Sequence, residues 1–409
     1  MTENSMIKYA ETVLVSGVNI QKGQYLIISC PIPAREIAHV IAKKAYELGA
    51  KRVYIDWRDF EFNKIRVEKE ELTDLTSLFD FEIEARNSFI EKDVCRVAIV
   101  CENPDLFVGV DPAKKDAYDR AMSVAFRPFM SAQMSNKIRW CVCAYPEKSW
   151  AKKLFPDLSD EDAMNNLWDM ICKAMRLDTP DPVKAWADFA SSAQNRADIL
   201  NNAKIDTLHY KNSLGTDLTV GMMEDSIWLS AKELDKNGIP FIANIPTEEI
   251  FSAPHRLRVD GTLCASLPLS YGGNIIDGFT LTFEKGRIVS YSAKVGEEYL
   301  KNIIETDEGS HYLGEIALVQ QDSPISNMNT LFYETLFDEN ASCHFAFGEG
   351  YPTCVKASET LSGKDLVEHG LNDSLQHVDF MVGTKDLEIT AYLKDGSTML
   401  IMKDGNFVI

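Results

Sequence analysis

Four short stretches of this 409-residue chain carry acids and imidazoles where the surrounding pattern is apolar. "NIPTEEIF" places Glu248 and Glu249 after a proline, and "HYLGEIALV" places Glu315 at the head of an apolar run. "DENASCHFAF" supplies Glu339 and His344, and "QHVDFMV" supplies His377 and Asp379. Withdrawing a charge from water is costly unless something pairs with it, so these residues face solvent or answer to a partner. In "HVD" the spacing of two puts both side chains on one face of a strand, with Val378 opposite. Taken singly, each stretch also fits a solvated strand end or a hydrogen-bonded histidine. Taken together, Glu249, Glu315, Glu339 and Asp379 offer anionic oxygens, and His344 and His377 offer imidazoles. Four crowded carboxylates repel one another, and two divalent cations bring four positive charges against four negative ones. Mixed carboxylate and imidazole ligation suits Zn, Mn or Co, with Mg a further candidate, rather than a thiolate site. A pair of such ions about 3.5 to 4 Å apart serves aminopeptidases, phosphatases and nucleases alike. Glu248 reads as a solvated neighbour of Glu249, as a supporting group behind it, or as an anchor for an amine. His209, His255, His311 and His369 belong to no such pattern and read as surface or structural.

The elements that must position these groups come in two styles. "QYLIISC", "RVYIDW", "CRVAIVC" and "IRWCVCAYP" read as buried strands, separated by helical patterns such as "PAREIAHVIAKKAYELGA" and "DPAKKDAYDRAMSVAFRPFMSAQM". That alternation predicts a mostly parallel α/β sheet covered by helices. No GxGxxG follows the first strand, so the dinucleotide fingerprint is missing. Residues 159–203 are helical, after which the pattern changes. "IDTLHYKNSLGTDLTVGM" predicts a hairpin around Leu214, Gly215 and Thr216, and short strands broken by Gly and Asp follow to the C-terminal strand-turn-strand. The expected organisation is an α/β domain over 1–203 that governs substrate access and selection. An α+β metal-binding catalytic domain with a mixed or antiparallel sheet is expected over 204–409.

Composition excludes several classes. A net charge of −20, without a basic stripe, argues against a nucleic-acid partner. No basic-then-apolar leader opens the chain, and no apolar run approaches the roughly 20 residues of a bilayer span, so no membrane is expected and the location is read as cytoplasmic. Nine cysteines, an odd number without a CxxC pair, read as reduced thiols filling small apolar sites. Cys343 is the one thiol beside an imidazole, but neighbours on an extended chain point to opposite faces, which places it poorly for proton transfer to His344.

Five blocks, "NIPTEEIFSAPHRLRVDG", "DEGSHYLGEIALV", "SPIS", "TLFDENASCHFAFGEGYP" and "HVDFMVG", resemble in order and spacing the signature of the aminopeptidase T, aminopeptidase S and PepS family of dinuclear metallo-aminopeptidases. The resemblance is loose over the whole chain and close over residues 212–383. It implies metal ligands at Glu249, Glu315, Glu339, His344, His377 and Asp379, an active-site tyrosine at Tyr351 in "GYP", peptide substrates and a homodimer. The implied reaction is release of N-terminal residues by a metal-activated water. Glu315 is expected to bridge both ions, Glu249 or Glu315 to accept the proton, and Tyr351 to donate to the oxyanion. One departure is Gly350, where alanine is usual in the family, a change expected to loosen the Tyr351 loop. A dinuclear phosphoesterase could use the same ligands, but basic residues are scarce around the blocks apart from "HRLR" at 255–258. A peptide-binding relative without turnover is the other alternative.

Overall fold

Apolar runs joined by helices fold into parallel strands because the crossover helices cover both faces. The computed structural model describes the backbone of residues 1–409 and every side chain except that of Glu359. Tyr25–Pro31, Arg52–Arg58, Val94–Val100 and Arg139–Ala144 pair in parallel, and the helices Arg35–Glu47 and Pro112–Met134 lie between them in sequence. Burial follows position in the sheet. The inner strand Tyr25–Pro31 is buried beyond its first residue, whereas the edge strand Arg52–Arg58 is exposed or half-buried throughout. Helix starts follow side-chain capping: Asp111 accepts from the Ala113 N–H ahead of Pro112, and Ser159 accepts from Asp162.

The chain forms two compact units, Met1–Asp188 with Lys232–Pro246, and Phe189–Ala231 with Thr247–Ile409. The expected division at 203/204 marks where helices give way to strands. The units part instead within the helix Pro182–Ala203, because Ala193, Ala197 and Leu200, with Phe189 beside them, pack into the strand-rich core that follows. Segment 232–246 belongs to the first unit because Asn244 and Ile245 pair in parallel with Val142 and Cys143 as a fifth strand. Its hairpin is anchored by a buried ion pair between Arg139 and Asp235. Arg139 also donates to the Val18 carbonyl at 2.9 Å and to Gln24 Oε1 at 2.7 Å, so its donors are spread over three partners.

The second unit holds two large antiparallel sheets and a two-stranded ribbon, Leu269–Tyr271 with Asn274–Ile276. The hairpin expected at residue 215 forms from Ile205–Lys211 and Asp217–Met222 within an eight-stranded sheet. A five-stranded sheet runs in the order His377–Met381, His344–Gly348, Leu313–Val319, Glu249–Ser252, Leu229–Ser230. Ile250, Ile316, Leu318, Phe345, Phe347, Val378 and Phe380 from the small sheet share one core with Leu208, Val220, Leu263, Phe283 and Ile389 from the large one. Phe347 and Phe380 have ring centroids 4.3 Å apart, and Phe345 lies 5.1 Å from Tyr210. All four aromatic residues are buried. Among the described residues, no helix is long and apolar enough to cross a membrane.

Two glycines shape the end of the His344 strand. Gly348 has φ +93°, and a Cβ there would lie 2.2 Å from the Gln376 carbonyl. A Cβ on Gly350 would meet Leu371 Cδ1 at 2.6 Å, and the Gly350 N–H donates to the Asn372 carbonyl at 2.9 Å. Leu371 therefore occupies the room an alanine methyl would use, and the Tyr351 loop is packed rather than loosened. Gly348→Ala should destabilise the chain by more than about 1 kcal/mol, because alanine is strained at positive φ and its methyl also clashes. Thermal melting of the variant checks this, and an unchanged midpoint would mean that the backbone at 348 relaxes freely.

Candidate metal centre

Strand register decides which side chains meet. Glu315 lies opposite Ala346, which lies opposite Asp379; Ala317 faces His344, Gly348 faces His377, and Glu249 faces Val319. Paired residues and alternate residues of a sheet project to the same face. Glu249, Glu315, His344, His377 and Asp379 therefore share one face, and the small residues Ala317, Ala346 and Gly348 between them leave that face open. The opposite face is the apolar core described above.

The two imidazoles are held from behind. His344 Nδ1 lies 3.0 Å from the Ser342 carbonyl and His377 Nδ1 lies 2.7 Å from the Glu349 carbonyl. A carbonyl only accepts, so Nδ1 carries the proton and Nε2 turns toward the acids. His344 Nε2 is 3.1 Å from Glu249 Oε2 and 3.9 Å from Glu315 Oε1. His377 Nε2 is 3.2 Å from both Glu315 Oε2 and Asp379 Oδ1. Glu315 thus turns one oxygen to each imidazole. Side-chain exposure rises from 1% at His344 and 5% at Glu315 to 21% at His377, so the cluster opens on the His377 side. The Tyr351 ring stands there, 4.9 Å from that of His377.

Glu339 is placed differently from the other five. It starts a short 3-10 turn, Glu339–Ala341, rather than lying on a strand. Burial, then the charges of Asp379 and Glu249, push its carboxyl well above the usual range, which puts it within electrostatic reach of the cluster. Glu248 faces elsewhere: its backbone N–H donates to Asn340 Oδ1 at 2.7 Å, and its charge acts on Arg196. Cys343 is buried, with its thiol 3.2 Å from the Val319 carbonyl, and burial pushes it up to about 12, so it stays a protonated structural thiol. The other histidines singled out in the sequence stay outside the cluster. His209 pairs with Asp217 at 2.8 Å, His369 with Asp225 at 3.4 Å, and His255 Nδ1 accepts from the Leu257 N–H.

Sequence reasoning missed the residues that hold this arrangement from behind. Asn340 and Asn372 are buried amides; Asn372 Nδ2 donates to the Gly348 carbonyl at 2.6 Å and to the Gly309 carbonyl at 2.8 Å. Asp338, also buried, accepts from the N–H groups of Phe332 at 2.7 Å and Glu334 at 3.1 Å. Burial raises Asp338 to about 7 against those hydrogen bonds. A signal existed for Asp338 and Asn340, which flank Glu339 within the acidic block.

Burial and mutual charge shift the proton affinities of both imidazoles and of several of the acids. Burial pulls His344 down, but the hydrogen bond and charge of Glu249, with Asp379 and Glu315, push it up to about 10. His377 likewise lies well above its ordinary value, burial being outweighed by Tyr351, Asp379 and Glu315. Burial also raises Glu315, whereas Asp379 is lowered because the charge of the nearby His377 outweighs its burial. The His377 charge pulls the Tyr351 hydroxyl down, but burial and the charges of Glu315, Asp379 and Glu339 raise it above its usual range.

These residues fit divalent cations. Glu249, Glu315 and His344 form one set whose ligand atoms lie within 4.8 Å of one another; Glu315, His377 and Asp379 form another, and Glu315 belongs to both. Asp379 Oδ1 is sealed from solvent and makes no hydrogen bond, although His377 Nε2 lies 3.2 Å away. A cation supplies such an atom with a partner.

The profile of the thermophilic metalloprotease family (M29) matches residues 2–407. The chain belongs to peptidase family M29. It is 41% identical to "Aminopeptidase AmpS" of Bacillus subtilis (strain 168), covering 98% of this chain and 97% of that protein. It is 40% identical to "Aminopeptidase 2" of Geobacillus stearothermophilus, covering 99% and 98%. The solved structure "Wild-type AmpT from Thermus thermophilus" is similar with a TM-score of 0.94 at 33% identity, over 100% of both chains. The M29 assignment makes this chain a metal-dependent peptidase, in keeping with the resemblance carried by its five sequence blocks.

Because the imidazoles hold protons that a cation must displace, the apparent metal affinity of this M29 peptidase should rise at least about tenfold per pH unit between roughly pH 6 and 8. Calorimetric titration in buffers of different ionisation enthalpy checks it. Affinity independent of pH, with no proton release, would contradict the cluster as the metal site.

Proposed function

We propose that this M29 peptidase is a two-metal aminopeptidase that releases N-terminal residues from short peptides. The observation that carries the reading is Glu315, whose two oxygens face different imidazoles and which belongs to both three-residue sets. Its relatives' names support the exopeptidase part. In this reading Glu249, Glu315 and His344 would hold one ion, Glu315, His377 and Asp379 would hold the other, and Glu339 would be a further ligand. Zn, Co and Mn fit the mixed donor set, with Mg a further candidate. Bound there, the two ions would polarise the scissile carbonyl and bring the pKa of water toward neutrality.

The protein's own groups do the rest. The backbone carbonyls behind His344 and His377 fix both imidazoles so that Nε2 points into the site. A carboxylate must take the proton of the attacking water and return it to the leaving amine. Both Glu315 oxygens face imidazoles, which favours Glu249 for that role. Tyr351 stands on the more exposed side of the cluster and stays protonated, so its hydroxyl is available to donate to the developing oxyanion. The first unit supplies none of these groups, and we assign it to substrate selection.

Nine free cysteines support a reducing location, the cytoplasm. A homodimer follows the family resemblance, and light scattering checks it by a mass of twice 46.0 kDa.

Chelation should abolish hydrolysis of free peptides, and added Co, Mn or Zn should restore it, while N-acetylated peptides remain uncut throughout. Full turnover by the stripped protein would end the metal reading, and cleavage of acetylated peptides would end the aminopeptidase one. Tyr351→Phe should keep its metal and lower kcat by roughly 100- to 1,000-fold, with KM little changed, because the lost hydrogen bond forms mainly in the transition state. A kcat within about threefold of the parent would instead make Tyr351 a packing residue.

A further inference from the structure

Glu339 is the one proposed ligand that no strand orients. Its backbone opens a single 3-10 turn, and among the described residues its carboxylate accepts one hydrogen bond, from Asn340 Nδ2 to Oε1 at 3.3 Å. Asn340 is fully buried and makes two further bonds: Nδ2 donates to the Leu336 carbonyl at 2.9 Å, and Oδ1 accepts the Glu248 N–H at 2.7 Å. The backbone donor fixes which end of the amide is oxygen, so Nδ2 must face Leu336 and Glu339. One side chain therefore joins the Glu339 carboxylate, the turn that carries it and the residue immediately before Glu249, across 92 positions of sequence.

We propose that Asn340 is a positioning residue for the metal site, holding Glu339 and the start of the Glu249 strand in one fixed relation. This rests on the reading above, in which the cluster binds divalent cations. An amide suits the task because it supplies an acceptor to one side and two donors to the other. Its donor engages one oxygen of Glu339 and leaves the second oriented for a cation. Supporting groups of this kind are worth about 10- to 100-fold in metal affinity. An aspartate of the same shape would still accept from Glu248, but it would set a carboxylate oxygen against the Leu336 carbonyl and the Glu339 carboxylate, where only acceptors meet.

The test compares the full-length protein with Asn340→Asp and Asn340→Ser. Each is stripped with chelator and titrated with Co or Zn by calorimetry, and its metal content is measured after dialysis. Melting of the chelated forms and peptide hydrolysis against metal concentration complete the set. The expected result is a 10- to 100-fold weaker affinity for at least one ion in Asn340→Asp, and a matching rise in the metal concentration for half-maximal activity. At saturating metal kcat should recover to within about threefold, and the chelated variants should melt close to chelated wild type. Unchanged affinity in both variants, with wild type binding two ions, overturns the assignment. So does a loss that excess metal cannot relieve together with an equally lowered melting point of the chelated protein, which would mark Asn340 as a core-packing residue. Failure of wild type to bind any divalent ion overturns the metal reading itself and this inference with it.

Discussion

Three carboxylates and two imidazoles crowded onto one largely buried sheet face, with a fourth carboxylate, Glu339, on a turn within their electrostatic reach, form the constraint around which the second unit is built. Each buried anion costs several kcal/mol unless positive charge stands close by. The imidazoles meet part of the need, and their raised proton affinity records how strongly the acids demand it. Two divalent cations would meet all of it, four charges against four. A site of this kind is unfavourable in its own right and is held in place by what surrounds it.

What surrounds it is the same set of strands read from the other side. Phe345 and Phe347 flank Ala346, and Ile316 and Leu318 flank Ala317. The apolar members fill the core and hold the strands at one register. The small members leave space on the opposite face, and the ligands occupy the remaining positions there. Stability and function are thus written into one sheet with period two, and a slip of a single residue would exchange ligands for phenylalanines. Backbone carbonyls behind each imidazole complete the arrangement.

The two-residue spacing of His377 and Asp379 made their shared face legible in the sequence, because strand alternation alone decides it. Hydrophobic runs likewise marked the first four parallel strands and the long helices. The meeting of Glu249 with Glu315 was carried by motif rather than by pattern, since antiparallel register depends on long-range pairing and on the irregularity between Leu313 and Glu315. The strand Asn244–Ile245 is too short to show a period, so its membership of the first sheet was invisible. Asn340 and Asn372 escaped notice because an asparagine in sequence reads as a turn or surface residue, and only complete burial reveals its work.

The chain passes between its two units three times, after Asp188, Ala231 and Pro246. A ribosome that has delivered the first 188 residues has therefore delivered an unfinished parallel sheet, whose last strand arrives only with Asn244 and Ile245. By then the opening hairpin of the second unit has already emerged, while all six proposed metal ligands are still to come. Cutting the gene at either end of the long helix would not yield two autonomous pieces. The amino-terminal fragment would lack an edge strand, and the carboxy-terminal one would carry a stretch of chain without its parallel partner. Nascent-chain order and sheet completion are interleaved, so the assembly history of this protein cannot be divided into one half followed by the other.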